Sequence, residues 1–289
     1  MTAMKRILIV TGASSGLGRQ FAKQLSASRD ADEIWLIARR NDLLQDVAQE
    51  LNADHADVIL PRNARKAAVA GKRPAPRTFP LDLAGTRGVK DFARLLASES
   101  EAAGPEGLRI EALVNNAGFG TYGAFMDTDI DRQLEMVELN SVSLTGICHY
   151  AIPHMGEGSL LINVASLASF IPLGNFAVYG ATKAYVLSFS IALAAEIADR
   201  GIFVSTLCPG PVDTEFARIA RNGARKTVVD GKDPRKVVAH CLSRSAKGKR
   251  ISIMAPKWKF KAFMSRFVGR YFFARWSFIH EKRPSSPKA

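Results

Sequence analysis

Tyr179 and Lys183 stand four residues apart in Tyr179-Gly180-Ala181-Thr182-Lys183, thirteen positions downstream of Ser166. On a helix that spacing places both side chains on one face, so the ammonium can reach the surroundings of the phenol. A free tyrosine, with a pKa near ~10, is a poor acid or base at neutral pH, and a nearby cation favours its ionised form. At the far end of the chain, Thr11-Gly12-Ala13-Ser14-Ser15-Gly16-Leu17-Gly18 follows an apolar run and precedes a helical pattern. Small residues there let the backbone approach a pyrophosphate, and the helix N-terminus offers free N–H groups. A proton-handling tyrosine paired with a dinucleotide-type turn points to hydride transfer. Gly12-x-Ser14-x-Gly16 also fits the nucleophile elbow of serine hydrolases. That elbow comes late in its sheet, ahead of an acid and a histidine, whereas this turn follows the first strand, so the hydrolase reading is set aside.

The elements that must position these residues alternate between strand and helix along the whole chain, the pattern of βαβ units and a parallel sheet. Strands are expected at Ile7–Thr11, Glu33–Ala38, Thr78–Leu83, Ala112–Asn115, Leu160–Val164, Ile202–Leu207 and Arg250–Met254. Helices are expected at Leu17–Ser26, from Asn41 (as N-cap) to Leu51, at Thr86–Ala102, Asp129–His154 and Tyr179–Ala198, and from Pro234. The fold class is therefore α/β: a doubly wound Rossmann-type domain over residues 1–256 with a seven-stranded parallel sheet. Residues 55–77, with Pro61, Gly71, Pro74 and Pro76 among basic side chains, read as an inserted surface loop.

The chain has 289 residues, 47% hydrophobic and 23% charged, ordinary values for a globular protein. No uninterrupted apolar run nears the roughly 18 residues a membrane helix needs. Lys5-Arg6 before Ile7–Val10 superficially resembles a signal peptide, but the run is short and leads into the glycine turn, so no export signal is expected. Cys148, Cys208 and Cys241 form no Cys-x-x-Cys pair, the five histidines show no metal-ligand spacing, and no metal is expected. A cytoplasmic setting fits. The net charge of +13 is uneven: residues 247–289 carry twelve Lys/Arg against Glu281, and residues 55–77 carry six against Asp57. The basicity belongs to two segments; the remainder is mildly acidic.

After the second strand comes Ala38-Arg39-Arg40, where an NAD-preferring site places a carboxylate for the adenosine ribose. Arg39 is instead available to fork onto a 2′-phosphate, a charge-assisted contact worth roughly 1.5–3 kcal/mol. NADP(H) is thus favoured, with NAD(H) as the alternative.

Together these residues resemble the short-chain dehydrogenase/reductase family over about Lys5–Met254, most of the chain. Gly12, Gly16 and Gly18 match its glycine turn, Asp82-Leu83 its acidic adenine contact, and Asn115-Asn116-Ala117-Gly118 the segment beneath the cofactor. Asn140, Ser166, Tyr179 and Lys183 match its catalytic tetrad, and Pro209-Gly210, Val212 and Thr214 the turn bordering the nicotinamide. The resemblance implies that Tyr179 exchanges a proton with the substrate oxygen and that Ser166 polarises it. Lys183 would hold ribose hydroxyls and lower the tyrosine pKa, and Asn140 would hold a water linking Lys183 to solvent. It also implies a homodimer or homotetramer built on the helices after strands four and five. Phe119, Phe170, Phe176 and Phe216, with Val178 and Val212, surround the expected site with few charges, which suggests an apolar carbonyl substrate such as a hydroxysteroid or a bulky or long-chain ketone. A 3-oxoacyl thioester reductase and a non-catalytic dinucleotide sensor are the alternatives; the intact Ser166/Tyr179/Lys183 set argues against a sensor.

Residues 257–289 exceed the family's minimal chain. Phe260, Phe263, Met264, Phe267, Tyr271 and Phe272 recur at three-to-four spacing with Lys259, Arg266 and Arg270 between them, a basic amphipathic helix. Four readings are open: packing of its apolar face on its own or a partner subunit, which is favoured; a lid over an apolar substrate; reversible docking on an anionic membrane; or nucleic-acid binding, disfavoured because no recognition motif accompanies it.

Overall fold

Why the apolar runs become buried strands is visible in their alternation. Ile7 and Ile9 enter one core, with Trp35, Ile37 and Leu161; Leu8 and Val10 enter another, with Ile34, Leu36 and Ile162. Side chains of period two point to opposite sheet faces, and here both faces are covered, so no position in the run can be polar. The computed structural model describes residues 4–53, 58–59, 73–220 and 231–281. Most of the expected 55–77 insertion and the end of the tail lie outside the described residues.

The chain begins with β1 (Lys5–Thr11), α1 (Gly16–Ser26), β2 (Glu33–Ala38), α2 (Asn41–Asn52), β3 (Ala75–Pro80), α3 (Gly85–Ala102) and β4 (Leu108–Asn115). It continues through α4 (Ile130–Val137), α5 (Leu144–Ala151), β5 (Leu160–Val164), α6 (Ala177–Glu196), β6 (Phe203–Leu207), α7 (Glu215–Ala220), α8 (Pro234–Ala246) and β7 (Ile251–Ser252). Two further helices, α9 (Pro256–Met264) and α10 (Arg270–His280), close the described chain. All strands are parallel, in the order β3-β2-β1-β4-β5-β6-β7. Phe92 of α3, Ile147 of α5 and Val186 of α6 fill one face, and Phe21 of α1, Leu44 of α2 and Val238 of α8 the other. This is the doubly wound Rossmann-type α/β arrangement.

The structure revises several boundaries. The third strand runs over Ala75–Pro80 rather than Thr78–Leu83, pairing Glu33 with Ala75 and Ala38 with Pro80. Pro76 marks the inserted loop in the sequence, but β3 is the sheet edge, where the missing N–H of Pro76, like that of Pro80 within the expected strand, faces outward at no cost. Asn41 is the first residue of α2 and not its cap; Arg40 takes the cap position without a side-chain cap bond. The long helix expected at Asp129–His154 is interrupted by a π segment over Glu138–Ser143. The seventh strand shortens to Ile251–Ser252. The single amphipathic helix expected in the tail is two, broken between Met264 and Arg270.

Between β1 and β4 the winding reverses, opening a crevice at the strands' carboxyl ends. The Thr11 hydroxyl stitches that point: it donates to the Val114 carbonyl at 3.2 Å and accepts from the backbone N–H of Asn116 and of Ala117, each at 3.0 Å. The Asn116 amide returns the bond, donating to the Thr11 carbonyl at 3.0 Å. Thr11→Val keeps the shape but takes the acceptor from the Ala117 amide and leaves the Asn116 amide the Val114 carbonyl alone, at 3.1 Å. We expect a loss of about 1–3 kcal/mol, read as a lower urea midpoint with an unchanged m-value.

Candidate active site

A cleft of about 710 Å³ opens at this crevice. Its floor is the glycine turn. Gly12 adopts φ +63°, and a Cβ there would stand 2.8 Å from the Asn116 amide nitrogen; a Cβ on Gly18 would overlap the Gly12 carbonyl. Both positions therefore exclude a side chain, and the backbone N–H groups at the start of α1 stay accessible to a phosphate. Gly12, Ser14, Ser15, Gly16 and Leu17 line the cleft, with Arg39, Asp82, Leu83, Asn116, Ala117 and Gly118 beyond them. Pro209, Gly210, Val212 and Thr214 form the opposite rim. Gly18 lies below the lining, where it sets the packing of the turn.

The two arginines after β2 differ. Arg40 is committed, bonding the hydroxyls of Ser14 (3.3 Å) and Ser15 (3.2 Å) and pairing with Glu215 at 2.9 Å. Arg39 is exposed, lines the cleft, and makes no hydrogen bond or ion pair among the described residues. Asp82 accepts from the Ala84 N–H at 3.1 Å, which turns the chain into α3.

At the inner end, the strand-like backbone of Ser166 caps a short turn (Leu167–Ser169), its hydroxyl accepting from the Ala168 N–H at 3.1 Å. The Ser169 hydroxyl donates to the Lys183 carbonyl at 2.7 Å, fastening this turn to α6. Tyr179 and Lys183, one turn apart on α6, are buried, 6% and 5% exposed. The Lys183 ammonium donates to the Val164 carbonyl at 2.8 Å and lies 5.8 Å from the centre of the Tyr179 ring. Phe176 stacks on Tyr179 with centroids 4.1 Å apart, and Phe216 tilts against it at 5.5 Å.

This burial reverses one expectation. The phenol of Tyr179 is raised above its ordinary value by desolvation, with a Ser166 hydrogen bond opposing. Lys183 does not draw it down; desolvation lowers the lysine itself to about 8. The resting pair is a neutral phenol beside an ammonium poised near neutrality. Asn140 differs too. The π segment turns its side chain onto Phe119: its Oδ1 accepts from the Phe119 N–H at 3.1 Å, and its Nδ2 donates to the Phe119 carbonyl at 2.9 Å and to the Thr182 hydroxyl at 3.1 Å. It braces the backbone after Gly118 and does not line the cleft.

Of the aromatic residues expected around the substrate, Phe119, Phe176 and Phe216 line the cleft. Phe170 does not; the Leu167–Ser169 turn carries it into a separate pocket of about 60 Å³ against α9 and α10. Ile171, Leu173 and Tyr122 take its place, and Trp258 and Ala262 of α9 join the lining from the tail. The tail residues were invisible to motif reasoning, because nothing local says which face of a helix folds back.

A doubly wound sheet with a glycine turn at its switch point, and a Ser–Tyr–Lys cluster in the same cleft, defines the class of nicotinamide-dinucleotide oxidoreductases. A family model described as enoyl-(acyl carrier protein) reductase matches residues 37–240. The sulfoacetaldehyde reductase of Chromohalobacter salexigens is 30% identical over 225 residues, covering 76% of this chain and 78% of that protein. A short-chain dehydrogenase from Sphingobium yanoikuyae in complex with NADPH superposes with a TM-score of 0.70 over 98% of each chain at 22% identity. One from Burkholderia phymatum in complex with NAD does so with a TM-score of 0.70 at 19% identity, over 100% of this chain and 99% of that one. The chain belongs to the short-chain dehydrogenase/reductase family. Its match to the probable oxidoreductase EphD of Mycobacterium tuberculosis, 28% identical over 213 residues and 73% of this chain, spans 31% of that protein's length.

A carbonyl reduction that draws its proton from Tyr179 would need the neutral phenol and would benefit from charged Lys183. Both forms are present below the lysine's pKa of about 8, and the ammonium is lost as pH rises through it while the phenol stays protonated. We expect kcat/KM for reduction to be level through neutrality and to fall above pH about 8, approaching tenfold per pH unit, in a pH–rate profile of cofactor oxidation. Alcohol oxidation needs the phenolate and should gain with pH. A reduction profile that stays level to pH 10 would remove Lys183 from this role.

Proposed function

We propose that this protein interconverts an apolar ketone and its secondary alcohol with NADP(H). The observation that carries the reading is the neutral Tyr179 phenol, beside Ser166 and against an aromatic wall, at the inner end of a cleft floored by a glycine turn. The residues present fit a dinucleotide: Gly12 leaves the turn open to a pyrophosphate while Gly18 packs beneath it, α1 presents its N-terminus, and Lys183 and Asn116 stand near the inner end. When bound, the nicotinamide supplies or accepts the hydride. The chain's own residues do the rest. Ser166 donates to and polarises the substrate oxygen, Tyr179 delivers the proton to it, and Lys183 supports the ribose and the charge left on the phenol. Asn140 holds Phe119 and hence the cleft wall.

The apolar character of Phe119, Leu173, Phe176 and Phe216 supports a bulky, uncharged substrate over a small polar one. Arg39, exposed and unpaired among the described residues, supports NADP(H) through its adenosine 2′-phosphate. Exposed Val142, Tyr150, Tyr185 and Ile191 on and beside α5 and α6 support a homo-oligomer joined through those helices. The same face explains why α6 is apolar on nearly all sides, with one side toward the core and the other toward a partner.

Two substitutions test this. Tyr179→Phe should reduce kcat with a panel of bulky ketones by at least about 10²-fold, measured as NADPH oxidation, with cofactor affinity by fluorescence titration preserved. Survival of turnover would refute the proton-donor role. Arg39→Asp should weaken NADPH binding by roughly tenfold or more, the range of one charge-assisted contact, and leave NADH nearly unaffected. An unchanged NADPH/NADH ratio would remove Arg39 from cofactor selection.

A further inference from the structure

The two tail helices have unlike faces. On the inner side, Trp258 and Ala262 line the active-site cleft, and α10 is pinned to the loop before α6. There the Ser277 hydroxyl accepts from the Gly174 N–H at 2.9 Å, and the Asn175 side-chain amide donates to the Phe278 carbonyl at 3.1 Å. On the outer side, Phe260, Phe263, Phe267, Tyr271 and Phe272 are 53–82% exposed, and Trp276 is 41% exposed. The rings that the amphipathic pattern assigned to a packed face thus point away from the body. So many exposed large rings on two successive helices mark a contact site.

Charge says what it contacts. From Pro256 to Glu281 the chain carries Lys257, Lys259, Lys261, Arg266, Arg270 and Arg275 against one carboxylate, Glu281, which pairs with Lys261 at 3.7 Å. A second copy of the same face would set exposed Lys259, Arg266, Arg270 and Arg275 against the same four, and the one acid of the segment is already held by Lys261. An anionic lipid surface offers the complementary charge, and it offers the headgroup boundary where aromatic rings flanked by Lys and Arg come to rest. We propose that α9 and α10 dock this protein on an anionic bilayer, rings inserted at the headgroup level, with the cleft that α9 lines from its inner side directly behind. An apolar ketone dissolved in the bilayer then has a short route to the site. The docking itself stands independently of the reductase reading, since it is read by vesicle binding and not by turnover.

The test sediments the full-length protein with vesicles of phosphatidylcholine alone and with vesicles that also contain phosphatidylserine, at low and high salt. Binding should be at least about tenfold tighter on the serine-containing vesicles and weaken with salt. Phe260→Ser, Phe267→Ser, Tyr271→Ser and Phe272→Ser combined should abolish it. None of these four residues lines the cleft, so turnover of a water-soluble ketone should be unchanged. Lys259→Gln, Arg266→Gln and Arg270→Gln combined should remove the preference for anionic vesicles, which keeps the proposal testable if the serine variant does not fold. Equal binding to both vesicle types, or none to either, overturns the proposal. So does a smaller oligomer in sedimentation velocity for either variant, which would assign the face to a second copy of the chain.

Discussion

The reversal of winding between β1 and β4 is the constraint on which the rest depends. Two halves of one sheet diverge there, and the divergence would leave the backbone amide of Ala117 without an acceptor and that of Asn116 with the Val114 carbonyl alone. The Thr11 hydroxyl accepts from both and donates to Val114, so one side chain closes the polar accounts of the crossing. Every component of the cleft hangs from this junction. The glycine turn leaves β1, the Asn116–Gly118 segment leaves β4, and the packing of Gly12 against Asn116 locks the two exits together.

What the junction creates is a place where polar chemistry is done in a nearly dry setting. Desolvation pushes the Tyr179 phenol up and the Lys183 ammonium down, moving both toward their neutral forms. Stacking of Phe176 on Tyr179 is part of the cause, since it replaces water over one ring face. The site is held by the charge-assisted bond of the Lys183 ammonium to Val164 and by neutral ones, the Ser169 hydroxyl to the Lys183 carbonyl and Asn140 to both backbone groups of Phe119. Each costs little to make and much to lose, because the groups are buried. The π segment belongs to the same economy of geometry. An ordinary helix through Asn140 would present that side chain at another angle, and the widened turn aims it at Phe119.

The tail shows the opposite balance. Its inner side is committed to the cleft and the loop before α6, while Phe260, Phe263, Phe267, Tyr271 and Phe272 are exposed, as are Lys259, Arg266, Arg270 and Arg275. Apolar spacing alone could not distinguish these faces. Phe260, Phe263 and Phe267 recur as a packed stripe would, yet Trp258, Ala262 and Ser277 are the positions that meet the body.

Local chemistry made much of this protein legible. Apolar runs bounded by turn residues located the strands, with β2 and β5 at the expected bounds, because a strand buried on both faces admits no polar interruption. The glycine turn and the spacing of Ser166, Tyr179 and Lys183 pointed to one cleft, because short motifs on fixed elements carry their geometry with them. Only the tertiary structure decided the edge position that permits prolines in β3, the turn that removes Phe170 from the cleft, and the bracing role of Asn140. It also decided the sign of the Tyr179 shift. That sign depends on how much water the folded neighbours exclude from the phenol, a quantity set by residues distant in the chain, such as Phe216, and by no motif that contains the tyrosine itself.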